Sequence, residues 1–482
     1  MIGFTYSNLI KGILTLIGLY FLWRYIEEHM YHYDYAKVHY VNDMKVFTPS
    51  NIKSLQTFVI NENKKKNSFY CIKGSNFSHG GHTLIEHGTQ IDMVKINHMI
   101  YNINNNTNIK LGAGCRWSDV ISYLVKMNRT PMSIQSYYNF SVGGSISVNC
   151  HGRNFNDGSI SDSIVSMLVM STSGQIIYCD REINTELFNG VIGGYGLLGI
   201  IIEATMRTSD NCMMRKYVTE TSIYDIQKTF SEESKMDNKK RILFNSVIYP
   251  SNINKAYNCF WIEETIPINY NSYPKTRKIT KFPVLVPILE QLLRISNIAK
   301  TIRPYCETKN LYPSKIFPNM AWKSYEMCYD TNQHKVITKH PSTTVLQEYF
   351  IPEQHFTTFL QYLLQHSKEL NMINISCRYV KRITNSVVNY APVNSYSIVL
   401  YFPIINNKWG INNLTKWTNN MIDKLMEFNG KFYLPYLRTY DINEIKAMYG
   451  NEFDQLLHLK KIYDPDNKLK SDWFMNVRIK NV

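Results

Sequence analysis

The residues of this chain best suited to chemistry are concentrated in one string, Ser141-Val-Gly-Gly-Ser-Ile-Ser-Val-Asn-Cys-His-Gly-Arg-Asn154. Gly143, Gly144 and Gly152 carry no side chain that would hold a neighbour off, so the backbone there can approach a flat ring closely. Ser145, Ser147, Asn149 and His151, with the main-chain N–H groups, can bond the polar edge of such a ring. A lone histidine in a segment like this is structural more often than catalytic. Cys150 reads either as a small buried packing residue or as a contact that tunes a bound ring.

Two further glycine clusters accompany it. Lys73-Gly-Ser-Asn-Phe-Ser-His-Gly-Gly-His82 follows a strand-like run, Phe69 to Lys73. Main-chain N–H groups in such a loop can curl around a pyrophosphate, although on its own the loop reads equally as a plain connection. Gly194-x-Gly196-x-x-Gly199 matches the dinucleotide fingerprint letter for letter. That fingerprint needs a strand before it and a helix after it, so that phosphate meets a helix N-terminus. Here Glu186 to Val191 has helical character and Ile200 to Met206 is β-branched and strand-like. The order is reversed, and a Rossmann loop is excluded.

The elements around these clusters have α+β texture. Ser50 or Asn51 can cap a helix that places Ile52, Leu55 and Val59 on one face. Trp117 to Met127 reads as a second amphipathic helix. Ile164 to Met170 and Gln175 to Tyr178 read as strands joined by a turn at 172–174. Beyond residue 210 the glycines thin out. A largely apolar helix is expected within Phe282 to Ile302, and a strand over Ser397 to Phe402. Tyr463 to Lys468 is a helix stop, followed by a short extended end.

The division expected is a hydrophobic segment at 1–30, a cofactor-binding domain at 40–210, a substrate-binding cap at 211–440, and a C-terminal segment at 441–482 that returns to the first domain. Leu9 to Trp23 is apolar apart from Lys11. It approaches the length of about 20 residues that a membrane span requires, if counted back to Ile2. A retained membrane anchor is expected, the alternative being a helix packed on the body.

With 44% hydrophobic and 19% charged residues the chain is globular rather than disordered. The net charge of +15 comes from scattered basic residues, without a nucleic-acid module, and nucleic acid is not an expected partner. Nine cysteines with no Cys-x-x-Cys pair argue against a disulfide framework and a zinc site, and fit a reducing compartment.

Together the three clusters resemble the FAD-binding domain of the vanillyl-alcohol oxidase / p-cresol methylhydroxylase superfamily, near the aldonolactone and alditol oxidases, the decaprenylphosphoryl-ribose oxidase and the delta-24 sterol reductases. The resemblance implies a PCMH-type two-subdomain FAD-binding domain with an α+β cap. It places Gly74, Ser75, Asn76, Phe77, Ser78, His79 and Gly80 at the pyrophosphate. Residues 141–152, including Asn149, Cys150, His151 and Gly152, pass the flavin, and Gly196, Gly199 and Ile200 close the adenine side. Several relatives carry a flavin-linking histidine where this chain has Phe77, so non-covalent FAD is implied.

In the cap, Leu346 to Phe350, Ile375 to Tyr379 and Gly430 to Tyr436 are similar to the family's active-site strands. Tyr433 and Tyr436 stand where sugar-oxidising relatives carry a different tail motif. The implied reaction is oxidation of an alcohol carbon of a sugar-, polyol- or lipid-linked substrate by hydride transfer to the flavin, with O2 as an expected acceptor. Glu348 or Tyr436 would take the hydroxyl proton, and Arg378 or Arg438 would stabilise developing negative charge. Glu348 and Arg378 read equally as an ion pair across neighbouring strands, and Tyr433 as a core aromatic. The alternatives are reduction of a lipid or sterol C=C bond, and a flavin-binding membrane protein without turnover.

Overall fold

The computed structural model describes residues 30–101, 107–235, 240–265, 273–276, 292–293, 296–308, 320–328 and 342–479, with residues 15, 18 and 19. Most of the apolar stretch 9–23 and most of 282–302 lie outside the described residues. Among the described residues no helix is long and apolar enough to cross a membrane.

The chain enters as a short antiparallel hairpin, β1 (His32–Tyr33) with β2 (Tyr40–Val41). Next comes a three-stranded parallel sheet of β3 (Met44–Phe47), β4 (Tyr70–Lys73) and β5 (Gly88–Asp92), in the order β3-β5-β4. Its crossover helix, Ile52–Asn63, starts where the sequence places it. The Asn51 side chain accepts from Ser54 N, and Ser54 reciprocates in a capping box that satisfies otherwise orphaned helix N–H groups. Leu55 and Val59 form the buried face.

A six-stranded antiparallel sheet follows, made of β6 (Met99–Tyr101), β7 (Asn108–Gly112), β8 (Arg129–Pro131), β9 (Ile164–Met170), β10 (Ile176–Asp180) and β11 (Ile200–Asp210). Its order is β10-β9-β11-β7-β6, with β8 added along the end of β11. Helix Thr185–Val191 precedes the 193–199 loop and β11 follows it, the element order that excludes a Rossmann loop.

Among the described residues, the segment expected to be the cap forms one antiparallel sheet of eight strands: β12 (Met213–Ser222), β13 (Arg241–Ile248), β14 (Lys255–Glu264), β15 (Met320–Trp322), β16 (Ser342–Pro352), β17 (Asn374–Val380), β18 (Ser395–Ile405) and β19 (Lys431–Phe432). The order is β15-β12-β14-β13-β17-β18-β16-β19. Helices Phe356–His366 and Lys408–Glu427 bury their apolar faces, including Phe359, Leu363, Trp417 and Met421. The chain then returns to the first domain, where Leu469 bridges Tyr70 in parallel and Tyr70 N donates to Lys468 O at 2.9 Å. The extended C-terminal end expected from the sequence is instead a helix, Asp472–Ile479. Ser471 starts it, accepting from Phe474 N at 3.3 Å, a cap signal that the preceding turn residues obscured.

Candidate functional site

All three glycine clusters and the cap's tail meet at one open cleft. Gly74 to Ser78 form one wall. Gly143, Gly144, Ser145 and Ser147 form the floor, Gly196 and Gly199 the far side, and Tyr433, Pro435 and Tyr436 the cap side. The floor is a short helix, Val142–Ser147, capped by Ser141 Oγ, which accepts from Gly144 N at 3.3 Å. Gly193 N donates to Ile146 O at 3.0 Å and Tyr195 N to Ser147 O at 2.9 Å, tying the 193–199 loop to that helix.

Not all of these glycines serve the cleft. A Cβ on Gly74 would stand 1.9 Å from Ser141 Oγ, and one on Gly152 would stand 2.0 Å from Ile134 O. Gly152 is small so that protein can pack on protein, and Gly74, which lines the cleft, also leaves room for Ser141. Gly196 differs: it has φ +73°, and an added Cβ would meet nothing nearer than Ile72 at 3.9 Å. Its missing side chain helps to leave the cleft open.

Several expected cofactor contacts are placed behind the lining. Ile200 is fully buried and its neighbour Ile201 faces the cleft instead, since side chains alternate along a strand. Asn149 turns its backbone left-handed (φ +44°), and its Oδ1 accepts from Ser161 N at 3.3 Å. Burial pushes the Cys150 thiol up to about 12, which leaves it an inert packing residue. His79 is buried with its ring against Tyr35 and Tyr436, and Gly80 sits under His82. Sequence reading missed His82, Tyr195, Gln135 and Phe140, which do line the cleft. His82 and Tyr195 were legible, each lying inside a glycine cluster, whereas Gln135 and Phe140 belong to no motif.

On the cap side, Tyr433 and Tyr436 line the cleft, and Glu348 and Arg378 do not. Glu348 and Arg378 do not sit on neighbouring strands, because β18 runs between β16 and β17. The carboxylate's partner is His151, whose Nε2 donates to Glu348 Oε1 at 2.7 Å with both side chains buried. Burial alone would lift the Glu348 carboxyl. The adjacent His151, followed by Arg378, outweighs it and holds the carboxyl below its ordinary value. Two tyrosines brace the floor from the cap: Tyr433 OH donates to Val148 O at 3.0 Å and Tyr390 OH to Asn149 O at 2.6 Å.

Neither tail tyrosine has the environment of a base. Burial drives both phenols well above their usual range. Glu348 adds to this at Tyr436, and the opposing charge of Arg378 does not reverse it. Arg438, expected to serve the reaction, is engaged elsewhere: its Nη1 donates to Asp472 O at 3.2 Å and lies 3.7 Å from Asp472 Oδ2.

The lining fits FAD on one direct observation. Ser78 Oγ, the Gln135 amide nitrogen and both His82 ring nitrogens are buried on the cleft without a partner among the described residues. Buried polar atoms are normally paired, so a polar ligand edge belongs there. Burial, followed by Arg438, His39 and His79, pushes the His82 imidazole well below its usual range, which makes it a neutral ring with one donor and one acceptor. Phe77, Phe140 and Tyr195 supply flat apolar surface beside these atoms.

Comparison with known proteins agrees. Residues 45–180 match the family model described as an FAD binding domain. An uncharacterized oxidoreductase from the fasciation locus of Rhodococcoides fascians is 31% identical over 159 residues, 33% of this chain and 36% of that protein. Cytokinin dehydrogenase 2 of Arabidopsis thaliana is 26% identical over 36% of this chain and 34% of its own length. The D-arabinono-1,4-lactone oxidase of Yarrowia lipolytica is 33% identical over 21% of this chain and 19% of its own length. The matched part therefore spans about a third or less of these relatives. The fold as a whole is similar to that of cholesterol oxidase from Brevibacterium sterolicum, with a TM-score of 0.70 over 93% of this chain and 96% of that one, at 12% identity. Residues 45–180 thus form an FAD binding domain, the chain takes FAD as its cofactor, and its fold as a whole is similar to that of a cholesterol oxidase.

Proposed function

We propose that the protein is an FAD-dependent oxidoreductase that oxidises an alcohol carbon of a sugar-, polyol- or lipid-linked substrate. The observation that carries this is the convergence of the cap's Tyr433 and Tyr436 with the three glycine clusters on one cleft, with a His151–Glu348 pair behind it. Bound FAD supplies the two-electron acceptor. The chain supplies position and proton handling. Tyr433 and Tyr436 stay neutral, so each phenol can donate a hydrogen bond to a substrate oxygen but does not act as the base. Glu348 stays ionised behind the lining, with His151 holding its carboxylate in place, and draws the hydroxyl proton of an alcohol only through a phenol or water standing between it and the cleft. Arg378 balances the charge around that pair, and its Nε is buried without a partner among the described residues.

The similarity to a D-arabinono-1,4-lactone oxidase supports an alcohol-bearing substrate over a limited stretch only. FAD is attached non-covalently in this proposal, because Phe77 cannot form a linking bond and His79 is buried outside the cleft lining. Dioxygen is the proposed acceptor. Membrane attachment through residues 9–23 rests on their sequence, and fractionation of the full chain beside one starting at residue 30 tests it.

The deciding experiment is anaerobic titration of the FAD-loaded protein with a panel of polyols, aldonolactones and lipid-linked alcohols. Bleaching of the flavin absorbance by a member of the panel, reversed on admitting air, is the expected outcome. A flavin that no alcohol bleaches, but that a chemical reductant reduces and an unsaturated lipid reoxidises, would show that the reaction runs toward C=C reduction.

A further inference from the structure

Loop 74–78 is held from outside as well as from within. The N-terminal hairpin folds back on itself. Asp34 N donates to His39 O at 3.0 Å, Asp34 Oδ1 accepts from Val38 N at 3.1 Å, and Lys37 turns through φ +55°. This braced turn lies against the back of the loop. Tyr35 N donates to Ser78 O at 3.1 Å, and Asn76 Nδ2 donates to Tyr33 O at 3.2 Å. The Tyr35 ring rests on Phe77 at 4.8 Å and on His79 at 5.3 Å between centroids. The other side of the same turn is fixed to the cap. Ala36 O accepts from Thr343 Oγ1 on β16 at 2.6 Å, and Lys37 O accepts from Asn406 Nδ2 at 2.9 Å. Asn76, Phe77 and Ser78 face the cleft on their inner side.

We infer that residues 31–41 are a non-covalent clasp on the cofactor loop, so that FAD leaves only when this arm lifts from the cap. The inference rests on FAD as the cofactor. It adds that this chain, with Phe77 in place of a linking residue, retains its flavin by tying loop 74–78 to the cap through Tyr35, Ala36 and Lys37. Tyr35, Thr343 and Asn406 are positioning residues, acting on the cofactor through the loop.

The test compares FAD-loaded wild type with Tyr35→Ala and Thr343→Val. The first removes the ring behind Phe77. The second removes one hydroxyl on the cap strand, outside the cleft lining, with little change of size. FAD release is followed by dilution into an excess of a flavin-sequestering apoprotein, and the melting temperature is read with and without FAD. Release should be roughly tenfold faster in each variant, about what loss of one or two hydrogen-bond equivalents produces. The melting temperature should fall more in the loaded than in the FAD-free form. Wild-type release rates in Tyr35→Ala and Thr343→Val would overturn the clasp. So would equal melting losses with and without FAD, which would make the arm part of the general fold. If Tyr35→Ala does not fold, Thr343→Val alone decides. A wild type that binds no FAD would instead overturn the cofactor itself, and the clasp with it.

Discussion

His151 Nε2 and Glu348 Oε1 meet at 2.7 Å across the boundary between the flavin-binding domain and the cap, with Glu348 only 1% exposed. Residue 151 follows the floor of the cleft and residue 348 lies on β16, so one buried hydrogen bond fixes the register of the two halves. Removing His151 takes from the buried Glu348 carboxylate its largest favourable partner and leaves only Arg378 and Ser397 to offset burial. Such losses cost about 3–5 kcal/mol.

Glu348→Gln should therefore keep FAD bound while slowing substrate-dependent flavin reduction by about 10²–10⁴-fold, the range for loss of a positioned base. Rapid-mixing measurement of flavin bleaching checks this. An unchanged rate would remove Glu348 from the proton path. The same pair has a pH signature. The folded protein holds Glu348 below its ordinary 4.5, so its stabilising contribution is complete above about 4.5 and disappears as pH falls through the lowered folded value. Denaturation midpoints for wild type and Glu348→Gln should converge below that window.

The tail tyrosines yield a separate prediction. Burial keeps Tyr436 protonated far above neutral pH, so Tyr436→Phe should lower turnover without removing a limb from the pH profile of kcat/KM between about pH 6 and 9. Loss of a limb there would mean that the tyrosine ionises in the reaction. Tyr433→Phe should cost about 1 kcal/mol in unfolding free energy, through the bond to Val148 O.

Two glycines should separate cofactor binding from folding. At Gly196→Ala the new methyl has room, but the positive φ costs an L-residue about 1–2 kcal/mol and the methyl narrows the cleft. The expected result is weaker FAD binding, read by fluorescence titration, in a protein that still folds. At Gly152→Ala the methyl collides with Ile134 O, and expression or melting temperature should fall before FAD affinity can be measured.

The buried histidines predict an acid sensitivity that begins well above the carboxylate range. Burial lowers both His39 and His79 to about 3, with Arg438 and then His79 adding to the shift at His39. Both rings are neutral when folded and take a proton near 6.5 when unfolded. Their contribution to stability is full above about 6.5 and is lost progressively as pH falls toward 3. His79→Gln should flatten the dependence of melting temperature on pH across that window. An unaltered slope would show that His79 is not buried in its neutral form.

Local signals made much of the flavin half of this molecule readable. Asn51 with Ser54 and the reversed element order around Gly194-x-Gly196 are each set by residues within a few positions of one another, whereas the choice of Ile200 over Ile201 missed which face of the strand meets the cleft. The cap side was less legible because its contacts are long-range. No spacing rule links His151 to Glu348, or places β18 between Glu348 and Arg378. The role of the arm was equally hidden, since Tyr35 reaches Ser78 and Ala36 reaches Thr343 only through the tertiary fold. The tail was misread for a local reason, the turn at 464–468 masking the Ser471 cap.

The most direct test of the account is to precipitate the purified yellow protein with acid and identify the flavin in the two fractions by mass. A colourless pellet and intact FAD in the supernatant are predicted. A yellow pellet would contradict the non-covalent site built around Phe77, and the absence of flavin from both fractions would contradict the assignment of the cleft.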